Sequence, residues 1–254
     1  MKRAHKICKF TDRTFLELIL DNLKQYIEHF YGYGNLNSSS WFIGLEEGGE
    51  GTVDDLLKRV SIWNSYRTTT VCLKEFHEKL GIDSHFREAP KLQPYWAKII
   101  KILLTIEGKD STEENTRNYQ REYLGRLNSN HALLELGAIP CKNIKNWGYS
   151  NIEYEILASK EKYLNFVLNN RNKTLKSLIE KHKPKNIFFM GKSADYVAQW
   201  LNIHETEYQE IENFLFSQDA GTNFYICNHP NSHGITNDYF IKIGQHCKEH
   251  SGTW

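Results

Sequence analysis

The hydrophobic and polar positions along this chain alternate in blocks that predict buried strands separated by amphipathic helices. Residues 41–44, 186–190 and 223–227 are short apolar runs, each of which breaks into glycine or polar residues. Runs of this length with such boundaries are typical of buried strands. A fourth strand is expected at the end of the segment 132–141.

Most of the segments between these runs carry apolar residues at the spacing of a helix. The polar residues 108–115 predict a surface loop, and residues 206–216 are mixed in character. The predicted helices cover residues 12–33, 53–66, 95–106, 116–128, 160–182, 191–201 and 237–248.

Strands and helices alternate without internal repeats or a shift in composition, which favours a single α/β domain over residues 1–254. We expect a three-layer α/β/α fold around a central, mainly parallel four-stranded sheet. The N-terminal helical segment is predicted for about residues 1–36 and the core for about residues 40–245.

Composition and charge add limits to this prediction. The chain has 254 residues, of which 40% are hydrophobic and 25% charged, as in an ordinary globular protein with one substantial core. The formal net charge is +1, so electrostatics neither demands nor excludes a nucleic-acid partner. A DNA-binding protein of this charge needs a local basic face.

The sequence predicts neither a membrane segment nor a disulfide framework. No apolar stretch approaches the ~18 to 20 residues that span a bilayer, and no signal peptide is expected at the basic N-terminus. The default location is therefore the reducing cytoplasm. Five scattered cysteines without a C-x-x-C pair give no support to disulfides or an iron–sulfur cluster, namely Cys8, Cys72, Cys141, Cys227 and Cys247.

Two loops that follow predicted strands carry the candidate chemistry. The first strand breaks into Glu46 and Glu47 followed by two glycines, and the last ends in His229 followed by a proline. Ligands of open α/β sheets bind at the carboxyl ends of the strands. We therefore expect a carboxylate and a histidine to face one substrate from two sides.

Four segments in chain order resemble the signature motifs of the uracil-DNA glycosylase superfamily. They are Gly44-Leu45-Glu46-Glu47-Gly48, Gly137-Ala138-Ile139-Pro140-Cys141, Met190-Gly191-Lys192-Ser193-Ala194 and His229-Pro230-Asn231-Ser232. The resemblance spans roughly residues 40–245. It implies a uracil-DNA glycosylase-like fold and a monomeric enzyme that acts on DNA without a cofactor.

The chemistry of base excision explains the residue types that the resemblance assigns. Breaking a base–sugar bond builds positive charge on the sugar, which a carboxylate stabilises, and negative charge on the base, which a histidine stabilises. The resemblance gives Glu46 the place of the water-holding residue and His229 that of the base-facing histidine. Glu47, where the family usually has proline, is the alternative carboxylate.

Two departures from the family pattern bear on the substrate. Gly137 stands where uracil-specific members read the base with asparagine, and Gly48 and Gly49 stand where a tyrosine blocks substituents at C5. We therefore expect a bulky 5-substituted pyrimidine, such as glucosylated hydroxymethylcytosine of phage DNA, and an antiviral role. A conventional uracil or mismatch repair glycosylase and a catalytically silent DNA-binding module with this fold remain alternatives.

The remaining candidates follow from these assignments. Besides the glycines, the predicted base pocket includes Gly44, Leu45, Ala138 and Pro140, with Phe42, Trp63 or Tyr66 stacking on the base. His233 or Ile235 is expected to wedge into the vacated stack. The other predicted DNA contacts are Lys142, Lys145, Lys192, Ser193, Asn231, Ser232 and Lys242.

Other interpretations of these motifs were weighed. A Glu-Glu pair in a glycine-rich turn is often only a solvated loop, and the segment Gly44 to Gly51 lacks the Gly-Lys-Ser/Thr ending of a phosphate loop. The cysteines and histidines between Cys227 and His250 match no standard zinc spacing. We therefore expect no metal and no cofactor.

Overall fold

The alternation of strands and helices is confirmed by a computed structural model, which describes the backbone of residues 2–142, 147–191 and 208–250 and the side chains from residue 16 onward. The helices in these ranges are α1 (Lys2–His29), α2 (Val53–Asn64), α3 (Leu73–Leu80), α4 (Pro94–Ile106), α5 (Glu113–Glu122), α6 (Lys160–Phe166), α7 (Asn172–His182) and α8 (Asn237–His250). A 3₁₀ turn covers Glu155–Leu157, and a π-helical turn covers Val167–Arg171 between α6 and α7. The helix predicted over 191–201 lies outside the described residues apart from its first position.

The strands are β1 (Gly32–Gly34), β2 (Ser40–Glu46), β3 (Thr70–Val71), β4 (His131–Gly137), β5 (Asn186–Met190), β6 (Gln209–Ile211), β7 (Phe214–Asp219) and β8 (Thr222–Cys227). They form one eight-stranded mixed sheet in the order β3-β1-β4-β2-β5-β8-β7-β6. The prediction of a four-stranded sheet is therefore wrong. The additional strands are two to six residues long and partly polar, so periodicity did not reveal them.

The four predicted strands form the parallel centre of this larger sheet. β2 pairs in parallel with β4 on one side and β5 on the other, and β5 pairs in parallel with β8. β1 runs antiparallel to β4, and β7 runs antiparallel to β8. The carboxyl ends of the four central strands therefore meet at one edge.

Aromatic stacking holds this centre together. The ring of Phe42 on β2 stacks on Phe188 of β5 at 4.6 Å, and Phe188 stacks on Tyr225 of β8 at 4.8 Å. All three side chains are almost completely buried. Offset stacking adds about 1 kcal/mol per pair to the stabilisation from area burial.

Capping residues and one glycine explain where helices start and stop. Thr52 accepts a hydrogen bond from the Asp55 N–H at the start of α2, and Ser159 does the same for Lys162 at the start of α6. α1 ends four residues before the predicted 12–33 helix does. Its end is followed by β1, where Gly32 has a φ of +136° and where a Cβ would overlap the backbone of Leu133.

The predicted 160–182 helix is interrupted by the π-helical turn. Its last residue, Arg171, is almost fully buried and lies 3.9 Å from the centre of the Tyr31 ring. The guanidinium donates to four backbone carbonyls, those of Ile27, Phe30, Glu135 and Leu136. This contact ties α1, β4 and the π turn together beneath the sheet edge. Among the described residues, no helix combines the length and apolarity required to cross a membrane.

Candidate functional site

Glu46 lies at the last position of β2, opposite Gly137 of β4. Its side chain is 12% exposed, and its Oε1 accepts a hydrogen bond from Lys160 Nζ at 2.7 Å. The other oxygen, Oε2, is buried and has no hydrogen-bond partner within the described part of the chain. A buried polar atom left unpaired costs free energy, so such an atom marks a place where a water or ligand group fits.

Lys160 holds the Glu46 carboxylate in place and was not anticipated from the sequence. It is the first residue of α6, and its Nζ also lies 3.3 Å from Cys141 Sγ. Burial opposes the charge on Lys160, but the hydrogen bond and charge of Glu46 outweigh it and raise the pKa of the ammonium group. Burial and Glu46 also raise the pKa of the Cys141 thiol, which therefore stays neutral beside this ion pair.

Glu47 has the opposite environment from its neighbour. The Tyr33 hydroxyl and Arg59 Nη1 donate to its Oε2 at 2.7 and 3.0 Å, and His77 Nε2 lies 3.3 Å from its Oε1. Burial alone would raise the pKa of Glu47, but the Arg59 charge and the bonds from His77 and Tyr33 lower it to about 2. Both oxygens of Glu47 therefore have partners within the protein.

The Glu47 contacts fix the loop that follows β2. Arg59 also pairs with Asp55 at 3.2 Å, and its side chain is only 3% exposed. Asp55 in turn accepts the Glu50 N–H at 3.3 Å, which ties the loop to the first turn of α2. This buried ion cluster is a structural element, and it leaves Glu46 as the better placed of the two candidate carboxylates.

His229 follows β8 and is exposed at the same edge. Its Nδ1 accepts a hydrogen bond from the Asn231 N–H at 3.1 Å, so the proton of the neutral ring is carried by Nε2. Partial burial lowers the pKa of His229, which favours this neutral form. The ring can therefore donate one hydrogen bond from Nε2.

Tyr95 lies between the His229 side and the Glu135 side of this sheet edge. The sequence placed it only at the start of a predicted helix. It is the second residue of α4, and its ring centre lies 5.6 Å from that of His229. Burial, followed by the charges of Glu135 and Cys227, raises the pKa of the Tyr95 phenol well above its usual value. Tyr95 is thus close to groups on both β4 and β8.

Glu135 is the second residue that the sequence interpretation missed. It pairs with Gly44 across β4 and β2, and a Cβ on Gly44 would overlap the Glu135 carboxyl group. Burial and then the charges of Glu47 and Glu46 raise the pKa of Glu135 well above its usual value. The available signal was a single charged residue inside the apolar run of β4.

The structure thus brings Glu46, Glu135, Tyr95 and His229 to one edge of the sheet. β5 separates β2 from β8, and two strand spacings of about 4.8 Å place their ends about 10 Å apart. That separation matches the size of a nucleoside. The arrangement places the Glu46 carboxyl group, which pairs with Lys160, a Glu135 carboxyl group of raised pKa and the His229 imidazole donor at one sheet edge.

The glycines of the predicted pocket differ in the space around them. A Cβ on Gly137 would lie 3.0 Å from the Tyr163 hydroxyl and 3.1 Å from the Leu45 carbonyl oxygen, so a larger side chain fits only if these neighbours shift. Gly49 packs against Pro140 and Asp55, where a Cβ would lie 2.7 and 2.8 Å from side-chain atoms. Gly48 has no atom within 4 Å of such a Cβ and faces open space. Ala138 and Pro140 are buried, and Leu45 is half-buried.

The three aromatic residues predicted to stack on a base lie elsewhere. Phe42 is buried in the stack at the centre of the sheet, and Trp63 is 2% exposed and donates to the Thr68 carbonyl. Trp63 follows the start of α2 by ten residues, or about 15 Å along the axis, away from the loop at that start. The Tyr66 ring is covered by Lys79 Nζ at 4.2 Å. Their placement as base-stacking groups is therefore corrected.

The residues predicted to contact DNA differ in exposure and in whether their charge is already paired. Lys142 is exposed beside the second loop, whereas Lys242 pairs with Glu212 at 2.6 Å and Asp238 at 3.7 Å, so its charge is largely countered. Lys145, Lys192 and Ser193 lie outside the described residues. In the turn after His229, Asn231 and His233 are exposed, while Ser232 and Ile235 are half-buried.

Comparison with known proteins does not assign a function to this chain, so the functional assignment depends on the geometry of the site. No protein-family model and no curated protein matches the sequence. A search of the described residues for three or more metal-ligating side chains in one place finds no such group.

Proposed function

We propose that the protein is a DNA glycosylase that cleaves the N-glycosidic bond of a flipped-out base and leaves an abasic site. The observation that carries this proposal is the state of Glu46. One of its oxygens is held by Lys160, and the other is buried with no partner from residues 2–142, 147–191 and 208–250, at the edge where His229 presents a donor.

The free oxygen of Glu46 suits the sugar side of the reaction. As the base departs, positive charge develops at the anomeric carbon, and a nearby carboxylate stabilises it. The same oxygen can accept a hydrogen bond from the attacking water and orient it. Lys160 donates a hydrogen bond to the carboxylate and fixes its rotamer, which reduces reorganisation during the reaction.

His229 suits the base side of the reaction. Its Nε2–H can donate to a pyrimidine carbonyl oxygen, where negative charge develops as the bond breaks. The backbone N–H of Asn231 holds the ring in the required tautomer.

The space around Gly48 favours a substrate with a bulky substituent at C5 of a pyrimidine, such as a glucosylated hydroxymethylcytosine. Gly48 is exposed, and no described residue has an atom within 4 Å of the position that a Cβ would take there, so the described part of the loop does not obstruct a large group. Extrusion of the nucleotide costs a few kcal/mol of unstacking, which contacts in the pocket must offset.

The test is excision by the full-length protein from duplex DNA that contains uracil, hydroxymethylcytosine or its glucosylated form, with abasic sites as the readout. The proposal is supported if the wild-type protein excises a 5-substituted base. Glu46→Gln should lose this activity, and the folded fraction of Glu47→Gln should keep it. Excision of uracil alone would indicate a repair glycosylase. Binding without cleavage of any base would indicate a DNA-binding module.

A further inference from the structure

We propose that Glu135 donates a proton to the ring of the departing base, which suits the site to a cytosine-derived base; this inference rests on the proposed glycosylase function. Its basis is the location of the Glu135 carboxyl group and the absence of a protein partner for one of its oxygens.

The carboxyl group lies over β2 in space that only a glycine leaves open. Gly44 stands opposite Glu135 in the strand pairing, and a Cβ on Gly44 would overlap Oε2 and lie 3.0 Å from Cδ. Glu46 is two residues further along β2, and the Tyr95 phenol lies near enough for its pKa to respond to Glu135. Glu135 therefore lies beside the strand that carries Glu46 and close to Tyr95.

The Oε2 atom of Glu135 is buried and has no hydrogen-bond partner among the residues that the structure describes. A carboxyl group so placed is stable only when it is neutral or when a ligand supplies the missing contact. Neutral Glu135 presents one O–H donor and one carbonyl acceptor. This pair matches the adjacent ring nitrogen and exocyclic amino group of a cytosine.

The charged groups around Glu135 favour the neutral form. Burial has the largest effect, and Glu47 and Glu46 add repulsion, whereas Arg171 is the opposing charge. Arg171 donates its N–H groups to backbone carbonyls. The pKa of Glu135 is consequently raised well above its usual value, whereas that of Glu47 is lowered to about 2, so the Glu135 proton is present where Glu47 is ionised.

A cytosine needs such a donor more than a uracil does. Uracil departs as an anion whose charge is shared by two carbonyl oxygens, whereas cytosine has only one carbonyl group to share it. Proton transfer to N3 lets cytosine depart without charge, as general acid catalysis requires. A neutral buried carboxylic acid can act as a donor at neutral pH.

The proposed step balances as follows. The O–H bond of Glu135 breaks and an N3–H bond forms, while the C1′–N1 bond breaks and its electron pair stays with the base. Water held by Glu46 forms the C1′–O bond and transfers a proton to the Glu46 carboxylate. Glu135 then regains a proton from solvent, and Glu46 releases one.

The experiment compares bases that share the same substituent at C5. Single-turnover excision is measured for 5-hydroxymethylcytosine and 5-hydroxymethyluracil, each with and without glucose on the hydroxymethyl group. We expect Glu135→Gln to lower excision of the cytosine member about 10²-fold or more and that of the uracil member less than about tenfold. Glutamine keeps the shape of the side chain but has no proton to transfer.

Two further readouts separate proton transfer from a structural role. Wild-type excision of the cytosine member should fall as pH rises through the raised pKa of Glu135, and Glu135→Gln should lose that dependence. Glu46→Gln, the matched control, should lower excision of both members by similar factors.

Failure of this inference can be told apart from failure of the proposed function. If the wild-type protein excises these bases and Glu135→Gln leaves their rate ratio unchanged, Glu135 is not the proton donor. If the wild-type protein excises neither these bases nor uracil, the glycosylase proposal fails and this inference fails with it.

Discussion

Glu46 and Glu47 are adjacent in the chain, yet the regions around them differ in one physical property. The Glu47 region contains two cationic or imidazole partners and a phenol, so both carboxylate oxygens are satisfied and the pKa falls to about 2. The Glu46 region contains one ammonium group and a buried oxygen without a partner. Glu47, whose two oxygens both have partners in the protein, is therefore a structural carboxylate, whereas Glu46 has an oxygen available to a ligand.

Glu135 extends the comparison to a third carboxyl group. It lies near the same two glutamates, but its pKa is shifted upward because burial dominates and the N–H groups of Arg171 donate to backbone carbonyls. Three carboxyl groups at one sheet edge thus differ in charge state or in available oxygens. Such separation of acid and base character is typical of sites of proton transfer.

The strongest test of the comparison is Glu46→Gln. We expect excision to fall by about 10² to 10⁴, since the variant removes the charge that stabilises the sugar cation. Thermal unfolding should shift less than in Glu47→Gln, because Glu46 has one charged partner among the described residues, Lys160, whereas Glu47 contacts Arg59, His77 and Tyr33. Abasic-site formation and circular dichroism measure the two effects, and wild-type excision by the variant would contradict the assignment.

Glu47→Gln should show the reverse pattern. Loss of one partner of a buried pair leaves Arg59 with Asp55 alone, and such losses cost about 3 to 5 kcal/mol in the free energy of unfolding. Urea titration measures this change. Excision per folded molecule should change less than tenfold, so a stable but inactive variant would reassign the working carboxylate to Glu47.

Acid should weaken the same cluster. The pKa of Glu47 in the folded protein is about 2, below its usual 4.5, so its stabilisation is present above about pH 4.5 and is lost as pH falls towards 2. The shift corresponds to about 3 kcal/mol. Between pH 6 and pH 3 about 2 kcal/mol of this is lost, so urea titrations at these two pH values should show a drop that is smaller by about 2 kcal/mol in Glu47→Gln, and equal drops would count against it.

His229→Ala tests the base side of the site. We expect excision to fall about 10²-fold, since removal of one donor from a developing anion has this effect, with no more than a small change in stability at an exposed position. The loss should be smaller for bases that are better leaving groups. An unchanged rate for every base would remove His229 from the mechanism.

The smallest expected effect is that of Gly48→Tyr, which narrows the space near C5 of the base. Because Gly48 faces open space, the ring should be accommodated and excision of a glucosylated base should fall about tenfold more than that of uracil. Gly49→Tyr is the matched contrast, since Pro140 and Asp55 leave no room and the variant should lose stability. An equal loss on both bases would argue against a pocket near Gly48.

Much of the central fold was predictable because it depends on local pattern. The apolar runs of β2, β5 and β8 are continuous because strands buried on both faces need apolar side chains throughout. The flanking strands were not predictable, since β1 and β3 have three and two residues and show no period. Pairing with neighbours, rather than their own composition, makes them strands.

In the candidate site, too, some features were predictable from the sequence and others were not. The sequence by itself determined that Glu46 and His229 follow buried strands, because strand ends are marked by glycine and polar residues. Only the tertiary structure decided which glutamate has a free oxygen, and that Lys160, Tyr95 and Glu135 lie beside it. Those neighbours come from segments up to 114 residues away in the chain, and their contacts depend on how helices pack on the sheet. Hydrogen-bond saturation and burial are properties of that packing, so no local pattern encodes them.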